Sequence, residues 1–272
     1  MKSFLTRLIS GMVLVLLVFG SCWFGGLLLG FFVAVIGYIG LDEYYKVFGM
    51  SITKGIGRIG FVGAGLWTAM LLATTEVGLP NGAELRLLAL LSAFILLMAV
   101  YVFAFPRYDT AQVMTAFFGI VYVPVMLSFI YLTRMLEIGF SLVWLIFFCS
   151  WGCDTFAYCT GMLVGRHKLA PVLSPKKSIE GAVGGVVGAA ALGAAYAAAT
   201  GAPAVIYAVI CAGGAVASQV GDLAASAVKR QHGIKDYGKI IPGHGGILDR
   251  FDSVIATAPM IYLLAVVLVK LS

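Results

Sequence analysis

From Leu8 to Leu41 the chain carries no charged side chain. A helix needs about 20 apolar residues, at roughly 1.5 Å each, to cross a hydrocarbon core of about 30 Å. This single stretch is long enough for two crossings, which raises the question of whether the whole chain belongs in a membrane. Composition answers it: 61% of the 272 residues are hydrophobic, 11% are charged, and mean hydropathy is +1.04. A soluble domain is about 45–50% apolar and about 25% charged. The 34 glycines suit close helix–helix approach in lipid. The fold class that follows is an all-α polytopic membrane protein.

The first residues, "MKSFLTRLISGMVLVLLVFGSC", also have the positive start, apolar centre and small-residue end of a secretory or lipoprotein signal before Cys22. Phe19 suits cleavage three residues later poorly, and the apolar run continues past Cys22. Two tightly joined spans are expected instead, with a re-entrant hairpin as the alternative.

The 20-residue ruler gives nine spans, at about 5–20, 23–41, 57–75, 86–104, 112–132, 139–161, 180–199, 203–228 and 250–270. Cytoplasmic loops are enriched in Lys and Arg, so the charges orient the chain. With the N-terminus inside, the inner segments hold Lys2, Arg7, Lys46, Lys54, Arg58 and Arg107. They also hold Arg166, Lys168, Lys176, Lys177, Lys229, Arg230, Lys235, Lys239 and Arg250. Only Arg86, Arg134 and Lys270 fall outside. The expected topology therefore has a cytoplasmic N-terminus and a C-terminus on the outer side. The same distribution accounts for the net charge of +6 as a topology signal, and no nucleic-acid partner is expected.

Two regions follow: N-terminal helices over 1–138, and a C-terminal catalytic region over 139–272 with cytoplasmic loops 162–179 and 229–249. Those two loops hold all three histidines of the chain. A transporter would more often spread polar groups along several spans. Here they gather at one membrane face. Of the five cysteines, Cys149 and Cys153 are four apart, but no histidine or CxxC pattern accompanies them. Buried packing is the expected role of all five.

The seventh span repeats small residues at four-residue spacing, Gly181, Gly185, Ala189 and Gly193, which admits a neighbouring helix closely. The eighth contains "SQVGDLAASAVKR", where Ser218, Asp222, Ser226 and Arg230 are four apart and share a helical face. An aspartate in an apolar span costs about 2.5–3.5 kcal/mol, so it faces a partner or a wet cavity. Asp222 therefore either anchors the helix through Lys229 or Arg230, or belongs to a site. Asp154, in "WGCDTFAY", poses the same choice between a helix–helix contact and a supporting role.

In "LSPKKSIEGAVGG", Ser174 and Pro175 suit an N-cap and a first helical residue. That reading puts Lys176 and Lys177 in the first turn, where the dipole disfavours them by about 0.3–1 kcal/mol each. A bound phosphate would resolve the conflict. Further on, "KDYGKIIPGHGGILDRFD" places two lysines, an arginine, a histidine, three aspartates and four glycines between two apolar spans. Gly243, Gly245 and Gly246 let backbone approach a ligand. Asp249 and Asp252 lie at the start of the ninth span. Asp222 and Asp249 are the expected ligands of a Mg²⁺ ion, which is typically held by one or two carboxylates plus substrate phosphates. Asp252 either supports them or only caps the helix. Residue chemistry thus suggests a cytoplasm-facing site for a polyphosphate and a metal, transferring a phosphoryl or nucleotidyl group to or from a lipid.

The segment Ser226 to Asp252 resembles the signature of phosphatidate cytidylyltransferases, the CDP-diacylglycerol synthases. It carries Ser226, Lys229-Arg230, Lys235-Asp236, His244-Gly245-Gly246, Asp249, Arg250 and Asp252 at the family's spacing. The upstream run "CDTFAYCTGMLVGRHKLAPVLSPKKSIEG" is similar to the family as well. The resemblance implies that CTP and phosphatidate give CDP-diacylglycerol and pyrophosphate. It also implies Mg²⁺, compatible with a second cation, a bacterial-type cytoplasmic (inner) membrane, and a homodimer as an admissible assembly. Lys176, Lys177, Lys229, Arg230 and Arg250 would neutralise phosphates, and Ser178 and His244 would donate hydrogen bonds. Ser226, Lys235, Gly245 and Gly246 complete the expected phosphate-binding set. Two other classes stay open: a membrane lipid-alcohol kinase with similar phosphate chemistry, and a transporter using Asp154 and Asp222.

Overall fold

The computed structural model describes residues 2–269, with side chains from Leu8 onward. Lys270, assigned above to the outer side, lies outside the described residues, as do the side chains of Lys2 and Arg7. Each of the nine expected spans is a helical stretch. The first four are α1 (Lys2–Phe24), α2 (Gly26–Val47), α3 (Gly55–Glu76) and α4 (Gly82–Phe103). The next two are each split by a five-residue π-helical turn. α5 (Thr110–Ile120) and α6 (Met126–Arg134) flank Val121–Val125, and α7 (Gly139–Phe147) and α8 (Cys153–Val164) flank Phe148–Gly152. The last three are α9 (Ile179–Thr200), α10 (Ala204–Gln231) and α11 (Leu248–Val269).

Eight of these stretches are long and apolar enough to cross a membrane among the described residues, and α1 contributes a shorter apolar run, Leu8–Phe24. The tight joint expected after the first span is a single residue. Gly25 separates α1 from α2 at φ 68°, a left-handed conformation that glycine adopts without a Cβ clash. Apolar side chains such as Leu16, Phe24 and Phe103 stand more than half exposed, as lipid-facing side chains do. Pro124 sits inside the first π turn, where the widened backbone accommodates a residue that cannot donate an N–H.

The chain divides into two compact units. One comprises Met1–Tyr131 with Asp236–Arg250, the other Leu132–Lys235 with Phe251–Ser272. This division differs from the two regions read in the sequence mainly at 236–250, which joins the N-terminal helices.

In the first unit the fully buried Tyr45 donates to the carbonyl of Ala116 at 2.7 Å. The ring lies against Gly60 and Gly119, and a Cβ on Gly60 would stand 2.0 Å from the phenol oxygen. In the second unit the small-residue stripe of α9 does what its spacing predicts. A Cβ on Gly185 would lie 2.9 Å from Cys153 Sγ on α8, and one on Gly193 would lie 2.5 Å from Cys211 Sγ on α10. α9 therefore packs between α8 and α10 at backbone distance. Without a hydrophobic drive between helices in lipid, such van der Waals contact is what holds them together.

Four of the cysteines are buried and Cys159 is exposed, so packing explains four of the five. Cys149 and Cys153 share a face directed at α10, with Cys149 Sγ 3.4 Å from the Cys211 carbonyl.

One local expectation is overturned. Ser174 does not cap a helix, and Lys176 and Lys177 are not in a first helical turn. Ser174–Ser178 form a strand, β2, paired antiparallel with β1 (Lys168–Ala170), so Lys168 faces Ser178 and Ala170 faces Ser174. The helix begins at Ile179, and its N-cap is Ser178, whose Oγ accepts from the Gly181 N–H at 3.1 Å. Extended pairing satisfies the backbone of 174–178 without a helix, and the last serine before the apolar run takes the cap. The dipole conflict inferred for the two lysines therefore disappears.

Candidate active site

In the second unit, α8, α9, α10 and the hairpin enclose a cavity of about 510 Å³, within the roughly 300–1,000 Å³ range of small-ligand sites. Its polar lining comes from Asp154, Lys176, Lys177, Ser178, Gln219 and Asp222. Each is placed by a local rule. The β-hairpin presents Lys176 and Lys177, and its end is clamped by Glu180. That carboxylate accepts from the backbone N–H of Arg166 at 3.0 Å and of His167 at 3.2 Å, and meets His167 Nδ1 at 2.6 Å. Asp222 projects from α10 and pairs with Lys177, two side chains each about a quarter exposed. Asp222 is thus partnered across the cavity by Lys177.

Gln219 donates through Nε2 to the Ala182 carbonyl at 2.9 Å, which fixes its carboxamide one turn before Asp222. Ser178 lines the same cavity while capping α9. A Cβ on Gly161, Gly165 or Gly181 would come within 3.0 Å of its Oγ, so the hydroxyl is held in a glycine-lined niche.

Other expected residues are arranged nearby in the same unit. Lys229 Nζ stands 3.6 Å from Asp252 Oδ2, and Asp252 Oδ1 accepts from the Ser253 N–H at 2.9 Å. Arg230 Nε donates to the Leu173 carbonyl at 3.4 Å, at the tip of the hairpin. The polar stripe of α10 is not one uniform face. Ser218 is fully buried, and its Oγ has no partner among the described residues, while Ser226 is half-buried one turn beyond Asp222. Lys235, after α10, is exposed.

The first unit holds the glycine-rich segment. Gly243 and Gly245 adopt φ of 78° and 85°, conformations that a side chain would strain. Asp249 is buried, and its Oδ2 accepts from the N–H of Tyr237 at 2.8 Å and of Gly246 at 2.9 Å. His244 Nδ1 lies 3.0 Å from Ser10 Oγ on α1, and that hydroxyl also donates to the Pro242 carbonyl at 3.0 Å. Arg250 has a buried Nε with no hydrogen-bond partner among the described residues, an arrangement that suits an anion.

One residue of this segment's surroundings was absent from the sequence-based set. Glu43, near the end of α2, is 2% exposed and accepts from the N–H of Ile247 at 3.1 Å and of Leu248 at 2.8 Å. The only sequence signal for it was that Asp42 and Glu43 end the charge-free stretch.

Among the described residues no group of three or more His, Cys, Asp or Glu could hold a metal by itself. The donors present are carboxylates, the chemistry Mg²⁺ prefers, and that ion commonly completes its shell with water and substrate phosphates.

The chain matches the model of the cytidylyltransferase family over residues 5–268. It is 30% identical over 249 residues to a phosphatidate cytidylyltransferase of Staphylococcus saprophyticus, covering 89% of this chain and 91% of that protein. The Staphylococcus epidermidis protein of the same name gives the same identity and coverage. With the Staphylococcus haemolyticus phosphatidate cytidylyltransferase, 30% identity extends over 267 residues, 96% of this chain and 98% of the relative. A match this long, across both units and all nine helical stretches, settles the family: the chain belongs to the cytidylyltransferases.

Proposed function

We propose that this protein is a phosphatidate cytidylyltransferase, making CDP-diacylglycerol and pyrophosphate from CTP and phosphatidate. The observation that carries the reading is the cavity of the second unit, where two lysines and two aspartates converge beside membrane-length helices in a chain of this family. The nucleophile is a phosphate oxygen of phosphatidate, already anionic, so no strong base is required. It attacks the α-phosphorus of CTP, a new P–O bond forms, the bond to the β-phosphate breaks, and pyrophosphate leaves with the electron pair.

The chain's own task is then to position two anions and offset their repulsion. Lys176 and Lys177 would neutralise phosphate at the cavity, with Lys177 shared between Asp222 and the incoming group. Lys229, Arg230 and Arg250 would supply further positive charge, and Ser178 and His244 hydrogen bonds. Ser226, Lys235, Gly245 and Gly246 stay in the proposed phosphate-binding set. Asp222 and Asp249 are kept as separate candidate ligands for Mg²⁺, each on the carboxylate chemistry of its own unit, with Asp154 and Asp252 in support. Bound there, the ion would neutralise triphosphate charge and favour pyrophosphate departure.

The charge distribution supports a cytoplasmic face for this site in the inner membrane. Inside the first unit, Ser10 near the start of α1 and Glu43 near the end of α2 both meet the 236–250 segment, as a hairpin entering and leaving at one face requires. A homodimer remains part of the proposal, to be read by light scattering in detergent.

The decisive test uses purified protein in detergent with labelled CTP, phosphatidate and Mg²⁺. CDP-diacylglycerol and pyrophosphate should appear together. Release of a nucleoside diphosphate would instead mark a lipid kinase, and no product under varied lipid and metal conditions would reject the assignment.

A further inference from the structure

A buried carboxylate in an apolar surrounding is costly unless hydrogen bonds compensate it. Glu43 is such a group, and its partners are the backbone N–H groups of Ile247 and Leu248, 204 and 205 residues away. Leu248 opens α11. A helix start is ordinarily capped by a side chain immediately preceding it in sequence. The residue at that place here is Ile247, preceded by Gly245 and Gly246, and none of the three has a polar side chain to offer.

The glycines instead make room for the distant one. A Cβ on Gly246 would stand 2.4 Å from both carboxylate oxygens of Glu43, and one on Gly238 would stand 2.2 Å from Oε1. Asp249 holds the adjoining Gly246 N–H at 2.9 Å. Three successive amides, at 246, 247 and 248, are therefore bound by two carboxylates from different helices. This knot fixes the backbone that carries His244 on one side and Asp249 and Arg250 on the other.

We infer that Glu43 is a positioning residue of the cytidylyltransferase reaction: it sets the backbone of the His-Gly-Gly segment and thereby aims Asp249 and Arg250 without touching substrate itself. The inference rests on the activity proposed above. It assigns a role in the chemistry to the N-terminal helices, to which the sequence reading gave no site residue.

The test is Glu43→Gln in the full-length protein in detergent. An amide cannot accept with both arms, so one backbone N–H loses its acceptor. The expected result is a fall in kcat of up to about a hundredfold, the scale of a small misplacement of catalytic groups. KM for CTP should change much less, and the protein should remain monodisperse. Backbone amide exchange over residues 245–250 should accelerate, a readout that needs no substrate.

If Glu43→Gln fails to fold, the pair of variants at 246 decides. Gly246→Ala should be nearly inactive, and adding Glu43→Asp, which withdraws the carboxylate by one methylene, should restore part of the activity. Wild-type kcat in Glu43→Gln with unchanged exchange at 245–250 would overturn the inference, as would a double variant no better than Gly246→Ala. Were the wild-type protein to release no pyrophosphate, the proposed activity would fall, and the exchange result alone would decide whether Glu43 holds the segment.

Discussion

Glu43 and Asp249 in the first unit and Asp222 in the second are used in opposite ways. In the first, Glu43 and Asp249 are buried and bind backbone N–H groups, which cannot move without moving the chain. In the second, Asp222 faces a cavity and pairs with the side chain of Lys177, a flexible partner that is itself partly exposed. Carboxylates of the first kind fix geometry. Those of the second can exchange partners when a phosphate or a cation arrives. The contrast divides the labour among these three residues: rigid aiming at Glu43 and Asp249, exchangeable charge at Asp222.

The contrast can be broken most directly at Asp222 and Asp249. Asp222→Asn should lower turnover by about 10²–10³-fold, as loss of a charge that organises the transferring phosphates does. Its thermal midpoint should stay within a few degrees of wild type. Asp249→Ala should lower both, because two buried N–H groups lose their acceptor, at about 1–3 kcal/mol each. Equal melting temperatures for the two variants would erase the distinction between the units.

A smaller effect should come from Gly185→Leu in α9. Its Cβ alone would meet Cys153 Sγ at 2.9 Å and Ala157 Cβ at 3.0 Å, so α8 must give way. Overpacking of this kind costs about 1–3 kcal/mol, readable as a lower midpoint in a fluorescence melt. The smallest change should follow Lys46→Ala. Lys46 pairs with Asp42 one turn away and is 64% exposed, so removing it should shift neither melting nor turnover measurably. A clear loss of activity there would extend the aiming role from Glu43 to its neighbours.

Sequence patterns and structure agree where one interaction dominates. The spans follow from hydropathy, because apolar side chains exposed along them, such as Phe31 and Ile95, stay out of water only in lipid. The small-residue stripe of α9 follows from spacing alone. The π turns at Val121–Val125 and Phe148–Gly152 leave no such mark, since one extra residue in a continuous apolar run does not change its hydropathy. Ser174-Pro175 carries a genuine helix-start signal, yet hairpin pairing with Lys168–Ala170 outweighs it. Glu43 was invisible for a different reason. Its partners are backbone groups, which have no residue identity, and they lie 204 positions along the chain. Beyond the end of the charge-free stretch at Asp42 and Glu43, its trace lies in Gly238 and Gly246, whose missing side chains leave room for it.

The glycines of α9 have a consequence for how substrate scope can change. Where α8 and α9 flank the cavity, a Cβ on Gly181 would already lie 2.7 Å from the Ala157 carbonyl. At this end of the seam the two backbones meet with no side chain between them to trim. Substitutions at Gly181 can therefore only narrow the chamber or prise it apart, and adaptation toward bulkier head groups would have to act on longer lining side chains such as Tyr158, Met162 and Gln219.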